Sequence, residues 1–284
     1  MRIQIGRAGG TMATRLADTA AGRVAVPGLR DAATVVILRE PPDGSGIEAL
    51  MLRRPAAMSF APGAYVFPGG STDPADYAGI AWYGPAPAEF GARLGAAPEV
   101  ARALVCAAVR ETFEESGLLL AGAAGGGPLA APAGPSWEAD RAGLTGGTLT
   151  LAELLAARGL VLRADLLAPR AHWITPVGET RRFDTRFFLA ALPAGQVAAA
   201  HAAEADHVTW LRPAAALDAA KAKEIFLLPP TAAMLNDLAS AAAAGMSLAA
   251  ILAQRRTIEP VRPRMELEDG TPWLVLPDTA GYPW

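Results

Sequence analysis

The sequence is poor in the side chains that bind soft metals: it has one cysteine and three histidines in 284 residues. A single thiol, Cys106, excludes an internal disulfide and a site built from several thiolates. The histidines, His172, His201 and His207, lack the four-residue spacing of a helical zinc site. We interpret Cys106 as a small buried residue. The absence of a disulfide framework predicts a reducing compartment, and we expect the cytoplasm.

Long apolar runs are also absent. No stretch reaches about 18 consecutive apolar residues, so no membrane span is predicted. The first 30 residues have no secretory apolar core and carry early arginines. They resemble either an organelle transit peptide or, in the interpretation we favour, a loose leader over 1–30. The net charge of −3 does not indicate a nucleic-acid-binding surface.

The remaining residues, 31–284, contain enough apolar side chains for one core, since 52% of the sequence is hydrophobic. We expect a single domain with an insertion at 77–97, a mobile loop at 122–148 and a helical C-terminal extension over 213–284. Periodicity and turn residues predict strands at 32–38, 47–53, 64–67, 181–190, 208–211 and 273–276, and helices at 98–116, 150–158, 213–222, 231–244 and 247–255, with Thr231 as a helix cap.

An acidic helical segment stands out at 110–118, which reads Arg-Glu-Thr-Phe-Glu-Glu-Ser-Gly-Leu. Glu111, Glu114 and Glu115 are three and four residues apart, so a helix places them on one patch. One interpretation is a solvated acidic face. The other is a divalent-metal site, because Mg²⁺ and Mn²⁺ prefer oxygen ligands and would turn the repulsion into attraction.

A glycine turn at 67–70, Phe-Pro-Gly-Gly, precedes this helix. Alone it indicates a plain turn. Together the two stretches resemble the Nudix box: Gly, five residues, Glu, seven residues, then Arg-Glu-U-x-Glu-Glu-x-Gly-U, where U is apolar. Asp76 stands where the family has Glu, Thr112 replaces an apolar residue, and 33 residues lie between Asp76 and Arg110. The residues that match are Gly70, Arg110, Glu111, Glu114, Glu115, Gly117 and Leu118.

A box split by an insertion is similar to one branch of the family, the peroxisomal coenzyme A diphosphatases. The stretches 51–55, 181–185 and 223–226 also resemble that branch. Met58 and Phe60 depart from it, because many coenzyme A Nudix enzymes have basic residues there.

This resemblance implies an α/β fold, a Nudix-type α/β/α sandwich with a mixed sheet. It implies hydrolysis of a diphosphate with Mg²⁺ or Mn²⁺ as cofactor. Coenzyme A or acyl-CoA is the first choice of substrate; ADP-ribose, NADH or another dinucleotide is the alternative. A nucleotide-sensing module without turnover is an alternative of another class. The implied metal ligands are Glu111, Glu114, Glu115 and the Gly69 carbonyl, with Arg110 orienting the carboxylates.

Further candidates come from the residues around these motifs. Arg53 and Arg54 end a predicted strand and would either contact phosphate or remain solvated. Arg182 lies on the polar face of the strand at 181–190. If that face lines the cleft, Arg182 would contact a phosphate; the alternative is an exposed face of the sheet. Gly70 is a candidate for close substrate approach, and Glu204 or Asp76 for an extra carboxylate. We expect a small nucleotide as partner, no nucleic acid and no membrane, and we keep a homodimer open.

Overall fold

The computed structural model describes residues 1–4, 9–55, 61–125, 132–199 and 207–284, and only the backbone of 9–11. Within these ranges the strands are β1 Arg2–Gln4, β2 Leu29–Arg39, β3 Glu48–Arg53, β4 Ala64–Val66, β5 Gly69–Ser71, β6 Trp82–Tyr83, β7 Ala121–Ala123, β8 Leu160–Arg163, β9 Ala168–Ile174, β10 Arg182–Ala191, β11 His207–Leu211, β12 Phe226–Leu227, β13 Pro260–Val261, β14 Arg264–Glu268 and β15 Thr271–Val275. The helices are α1 Gly9–Ala20, α2 Pro87–Leu94, α3 Pro98–Ser116, α4 Pro135–Thr145, α5 Leu151–Ala157, α6 Pro213–Lys221, α7 Pro229–Ala243 and α8 Leu248–Ala253.

The main sheet is mixed and is organised around β2. Seven of its strands follow the order β12-β4-β3-β2-β10-β9-β13, while β11 pairs with β3 and β5 pairs with β2. The long pairing of β2 with β10 is parallel, whereas β2–β3 and β9–β10 are antiparallel. This arrangement confirms the predicted mixed sheet.

Each face of the sheet has its own apolar layer, because successive side chains of a strand point to opposite faces. Val35 and Ile37 of β2 belong to a core shared with α2 and α3, including Phe113. Val36 and Leu38 belong to a second core shared with α7 and α8. Helices therefore cover both faces, which confirms the α/β/α sandwich.

The prediction that residues 1–30 form a loose leader is wrong for the parts that the structure describes. Arg2–Gln4 forms β1 and pairs with β15 near the C-terminus, and Gly9–Ala20 is helical. The strand β2 also begins at Leu29 rather than at residue 32. The pairing joins opposite ends of the chain, so local periodicity could not reveal it.

Two other segments differ from expectation. Within the predicted mobile loop 122–148, Pro135–Thr145 is helix α4, whose Trp137 meets Phe113 edge to face with 6.1 Å between ring centroids. The extension 213–284 contains strands β12–β15 as well as helices. Thr231 is not a cap, because α7 begins two residues earlier at Pro229 with Leu228 before it. Proline suits the first helical turn, where its missing N–H has no partner to lose.

The insertion 77–97 is ordered and packs onto the domain. It contains β6 and helix α2, and Trp82 packs edge to face on Phe90 with 6.1 Å between centroids. Phe90 in turn meets Phe188 of β10 with 6.3 Å between centroids, so these aromatic residues pack the insertion onto the domain.

We predict that native Cys106 reacts very slowly with a disulfide reagent at pH 8. Burial, with a smaller effect of the Asp76 charge, raises the pKa of this thiol to about 12. In the unfolded chain a thiol ionises at about pH 8.5. Between this pH and pH 12 only the unfolded chain gains from ionising the thiol, so the folded state loses stability as the pH rises through this range. Dithionitrobenzoate kinetics with and without urea test this, and a fast reaction of the folded protein would contradict it.

Candidate active site

Helix α3 carries the acidic cluster. Pro98 stands in its first turn, and Gly117 ends it with a left-handed φ of 71°, a conformation that glycine adopts without strain. Thr112, the departure from the apolar pattern, is fully buried, and its hydroxyl donates to the Ala108 carbonyl at 2.7 Å. That hydrogen bond satisfies the one polar atom that the substitution adds, so threonine is tolerated in the core.

The glycine turn lies directly against this helix. Strand β5 pairs with β2 so that Gly70 lies opposite Ala33. The Gly69 N–H donates to Glu115 Oε2 at 2.9 Å. A Cβ atom at Gly70 would lie 2.4 Å from Glu111 Oε1, closer than any side chain allows. The two halves of the motif, far apart in sequence, therefore form one corner, and this contact requires glycine.

Arg110 joins the acidic side chains at this corner. Its guanidinium donates to Glu111 Oε1 at 2.9 Å, to Glu114 Oε1 at 3.1 Å and to the Ser71 carbonyl at 3.0 Å. Burial alone would lower the pKa of Arg110, but the hydrogen bond that Arg110 donates to Asp76 and the charges of Glu111, Asp76 and Glu114 outweigh burial and raise it. Arg110 therefore stays charged and can hold two carboxylates in place.

Asp76 binds the opposite edge of the same guanidinium, at 3.1 Å from Nε and 3.0 Å from Nη2. Its other contact is the Asp73 N–H at 2.8 Å, and only 3% of the residue is exposed. These contacts favour a positioning role over metal ligation for Asp76.

We expect Asp76→Ala to lower the free energy of unfolding by about 3 kcal/mol, because it leaves Arg110 buried with one carboxylate fewer. Urea denaturation measures this change. Asp43→Ala is the matched control, since Asp43 pairs with Arg212 on the surface and little change is expected there. Equal stabilities of the two variants would contradict the assigned role of Asp76.

Two buried side chains outside any motif fix the end of α3. Arg141 of α4, 2% exposed, donates to the Glu114 carbonyl at 2.8 Å and to the Ala199 carbonyl at 2.9 Å. The Gln196 amide pairs with the backbone of Leu119. Sequence reasoning missed both, because an arginine in an alanine- and glycine-rich segment gives no local indication of burial.

A pocket of about 410 Å³ opens beside the corner, between the sheet and the segment before α7. Gly69, Gly70 and Glu115 form its floor, and Arg54 lies on its wall. Most of the other residues that line the pocket are apolar, including Val66, Phe67, Trp173, Phe183, Phe187, Leu228, Met265 and Leu274.

Of the two interpretations of Arg182, the structure does not support the one in which the polar face of β10 lines the cleft. Phe183 and Thr185 face the pocket, and Arg182 points the other way. The Arg182 guanidinium donates to the carbonyls of Pro27, Thr175 and Pro176 at 3.2 Å each, so it holds the backbone together. The aromatic face of β10 lines this apolar pocket. Alternation alone cannot tell which face of a strand lies inside.

The polar face of β10 forms its own charged cluster on the α2–α3 side. Asp184 contacts both Arg186 and the His172 ring, and Asp31 lies 3.8 Å from Arg186. Burial raises the pKa of Asp184, but the His172 hydrogen bond and the Arg186 charge outweigh it and lower the pKa. The opposite charges of this cluster offset one another, and none of its side chains lines the pocket.

Glu179 is a pocket carboxylate that sequence reasoning missed. Burial raises its pKa, and the charge of Arg15 only partly offsets this effect. Nothing in its sequence context, Val-Gly-Glu-Thr, distinguishes it from a loop glutamate. Glu204, the other predicted carboxylate, lies outside the described residues.

The donor set fits a hard divalent cation in its chemistry: carboxylate and carbonyl oxygens at one corner. Among the described residues, no three metal-binding side chains already converge on one point. Instead Arg110 binds Glu111 and Glu114, and the Gly69 N–H binds Glu115. Short shifts of side chains that are already in contact would be needed to place these oxygens around an ion.

Comparisons with known proteins identify the family of this chain. A family model described as the NUDT19 Nudix domain matches residues 91–238. The chain is 32% identical over 225 residues to human acyl-coenzyme A diphosphatase NUDT19, covering 67% of this chain and 60% of that protein. It is 30% identical over 253 residues to the chicken protein of the same name, covering 71% and 65%. The matches thus span less than two thirds of either relative.

A solved structure has the same fold. The crystal structure of a NUDIX hydrolase from Alicyclobacillus acidocaldarius superposes with a TM-score of 0.63 and 33% identity, covering 76% of this chain and 93% of that one. None of the helices described here is long and apolar enough to cross a membrane. The matched family model includes the acidic end of α3, and the fold places the glycine corner against it. The chain belongs to the Nudix hydrolase family, in the branch of the NUDT19 Nudix domain.

Proposed function

We propose that this protein hydrolyses the diphosphate of coenzyme A or an acyl-CoA, giving 3′,5′-ADP and phosphopantetheine. The observation that carries the proposal is the largely apolar pocket opening directly onto Gly69, Gly70 and Glu115. The two curated relatives are named acyl-coenzyme A diphosphatases, which supports this substrate class.

The pocket suits one part of such a substrate in particular. Phe67, Phe183 and Phe187 offer apolar surface for a pantetheine arm or an acyl chain, and Glu179 can accept a hydrogen bond from an amide N–H. Arg54 lines the same pocket, and we propose that it contacts a phosphate of the substrate. The diphosphate would then lie over the glycine corner, where backbone can approach closely.

Nudix hydrolases generally use divalent metal ions, and we propose Mg²⁺ or Mn²⁺ here. Glu111, Glu114, Glu115 and the Gly69 carbonyl would hold the ion. When bound, it would neutralise the diphosphate and lower the pKa of a water molecule. Arg110 would keep Glu111 and Glu114 oriented through the hydrogen bonds described above.

One carboxylate of the cluster would take the proton from the attacking water as general base. The water oxygen forms a new bond to phosphorus, and the bridging P–O bond breaks, leaving its oxygen on the departing phosphate. Glu111, Glu114 and Glu115 are the candidates, and Glu204 remains a prediction. The expectations of a cytoplasmic location, a homodimer and no nucleic-acid partner likewise remain predictions.

A substrate panel with Mg²⁺ tests the proposal: coenzyme A, acyl-CoA, ADP-ribose, NADH and diadenosine polyphosphates, with products separated by chromatography. We expect coenzyme A or an acyl-CoA to have the highest kcat/KM and to yield 3′,5′-ADP. A higher kcat/KM for ADP-ribose or NADH would support the alternative substrate class. Binding without turnover of any compound would support a sensing module and contradict the proposed enzyme.

A further inference from the structure

A second depression, of about 520 Å³, lies next to the pocket. We call it the cationic depression and define it by Arg53, Tyr65, Lys223, Glu224 and Phe226. It joins the end of β3, strand β4 and the segment between α6 and α7. Arg54 and Val66, the next residues after Arg53 and Tyr65, and Leu228, two residues after Phe226, line the pocket itself. One bound molecule could therefore reach both.

The two basic side chains of the depression are available. Arg53 and Lys223 are exposed, and neither makes a side-chain hydrogen bond or ion pair with another residue that the structure describes. Two arginines elsewhere on the surface are paired: Arg39 with Glu48 at 2.8 Å and Arg212 with Asp43 at 2.6 Å. Two solvated cations in one concave surface attract an anion.

The backbone at Lys223 is strained in a way that supports a role for its side chain. Its φ of 63° is left-handed, a conformation that glycine adopts easily and other residues do not. Lys223 follows α6, where its N–H donates to the Ala220 carbonyl at 3.0 Å. A glycine would end this helix with less strain. The lysine at this position therefore favours a function for its side chain.

Aromatic surface completes the depression. Phe226 is 53% exposed, and Tyr65 of the neighbouring strand β4 lines the same depression. An exposed ring beside two cations suits a nucleotide, whose base stacks while its phosphate is bound. Tyr65 is four residues before Gly69, so their Cα atoms are at most about 14 Å apart. The depression and the glycine corner are thus within reach of one nucleotide.

We propose that the cationic depression binds the 3′-phosphate of a 3′-phosphoadenosine diphosphate substrate, through Arg53 and Lys223, and so selects coenzyme A over dephospho-coenzyme A. This inference rests on the proposed function. The pantetheine arm then occupies the apolar part of the pocket, and the diphosphate lies over Gly69 and Gly70. Glu224 opposes the anion and limits its affinity.

Kinetics with the two substrates test the selection. We expect the wild-type kcat/KM for coenzyme A to exceed that for dephospho-coenzyme A at least tenfold. Lys223→Met and Arg53→Met should each reduce this ratio to about threefold or less, mainly through KM for coenzyme A. Glu224→Gln should raise the ratio about twofold. Lys221→Met is the matched control, since Lys221 is exposed two residues away and does not line the depression.

Equal loss on both substrates, or an unchanged ratio in Lys223→Met and Arg53→Met, would overturn the 3′-phosphate site while leaving the hydrolase proposal intact. Calorimetric binding of products tests the site without turnover. The wild type should bind 3′,5′-ADP at least tenfold more tightly than AMP, and Lys223→Met should lose most of that difference. Equally tight binding of 2′,5′-ADP would overturn the assignment to the 3′ position.

Discussion

Glu115→Gln is expected to lower kcat for coenzyme A hydrolysis on the order of 10³-fold, the size of effect seen when one electrostatic group of a catalytic site is removed. Glu115 is the acidic side chain that both lines the pocket and accepts the Gly69 N–H at 2.9 Å. A glutamine carbonyl can still accept that hydrogen bond, so the corner should keep its shape. What disappears is the negative charge that would hold a cation and accept a proton.

Glu114→Gln should have a comparable effect, because Glu114 is 6% exposed and its carboxylate is bound to Arg110 at 3.1 Å. The matched control is Glu99→Gln, an exposed glutamate in the first turn of the same helix. Initial rates at saturating Mg²⁺, together with urea unfolding curves, separate catalysis from stability. Rates within about threefold of the wild type in both Glu114→Gln and Glu115→Gln would refute the assigned roles.

Gly70→Ala is expected to lower kcat by about 10²-fold with only a small loss of stability. The added Cβ would lie 2.4 Å from Glu111 Oε1 and Cδ. Because these atoms are the end of a flexible side chain, Glu111 can rotate away and the fold survives. A displacement of about 1 Å in a catalytic group is enough to cost this factor.

Two glycines serve as comparisons for this variant. At Gly69 a Cβ would meet backbone, 2.4 Å from the Ala33 carbonyl oxygen and 2.7 Å from Thr34 Cα, so Gly69→Ala should destabilise the fold itself. At Gly79 nothing lies within 4 Å, so Gly79→Ala should change neither rate nor stability. Full activity in Gly70→Ala would show that the contact with Glu111 does not matter for turnover.

The sequence could predict the corner because its parts are local patterns. Three glutamates at helical spacing, a glycine after the helix and a Phe-Pro-Gly-Gly turn each carry their own structural meaning. The long segment between Asp76 and Arg110 does not disturb them, since it packs beside the corner as β6 and α2. The start of α5 is a local pattern of the same kind: the Glu153 N–H donates to the Thr150 hydroxyl at 3.2 Å.

The missed features depend on contacts between distant residues. Strand β1 pairs with β15 across almost the whole chain, and Arg141 reaches the end of α3 from a segment with no core pattern. The sequence left open which face of β10 lines the cleft, for a similar reason. The alternation of residues along β10 predicts two faces, but it does not show which face lies inside. Only the three-dimensional packing shows that the face with Phe183 lines the pocket.

The central claim, that the glutamates of α3 and the glycine corner together hold a divalent cation, is tested most directly by calorimetric titration of the metal-free protein with Mn²⁺. We predict saturable binding by the wild type, affinity lowered at least tenfold in Glu115→Gln, and affinity unaltered in Glu99→Gln. No heat above dilution for the wild type, or equal affinity in Glu115→Gln, would contradict the claim.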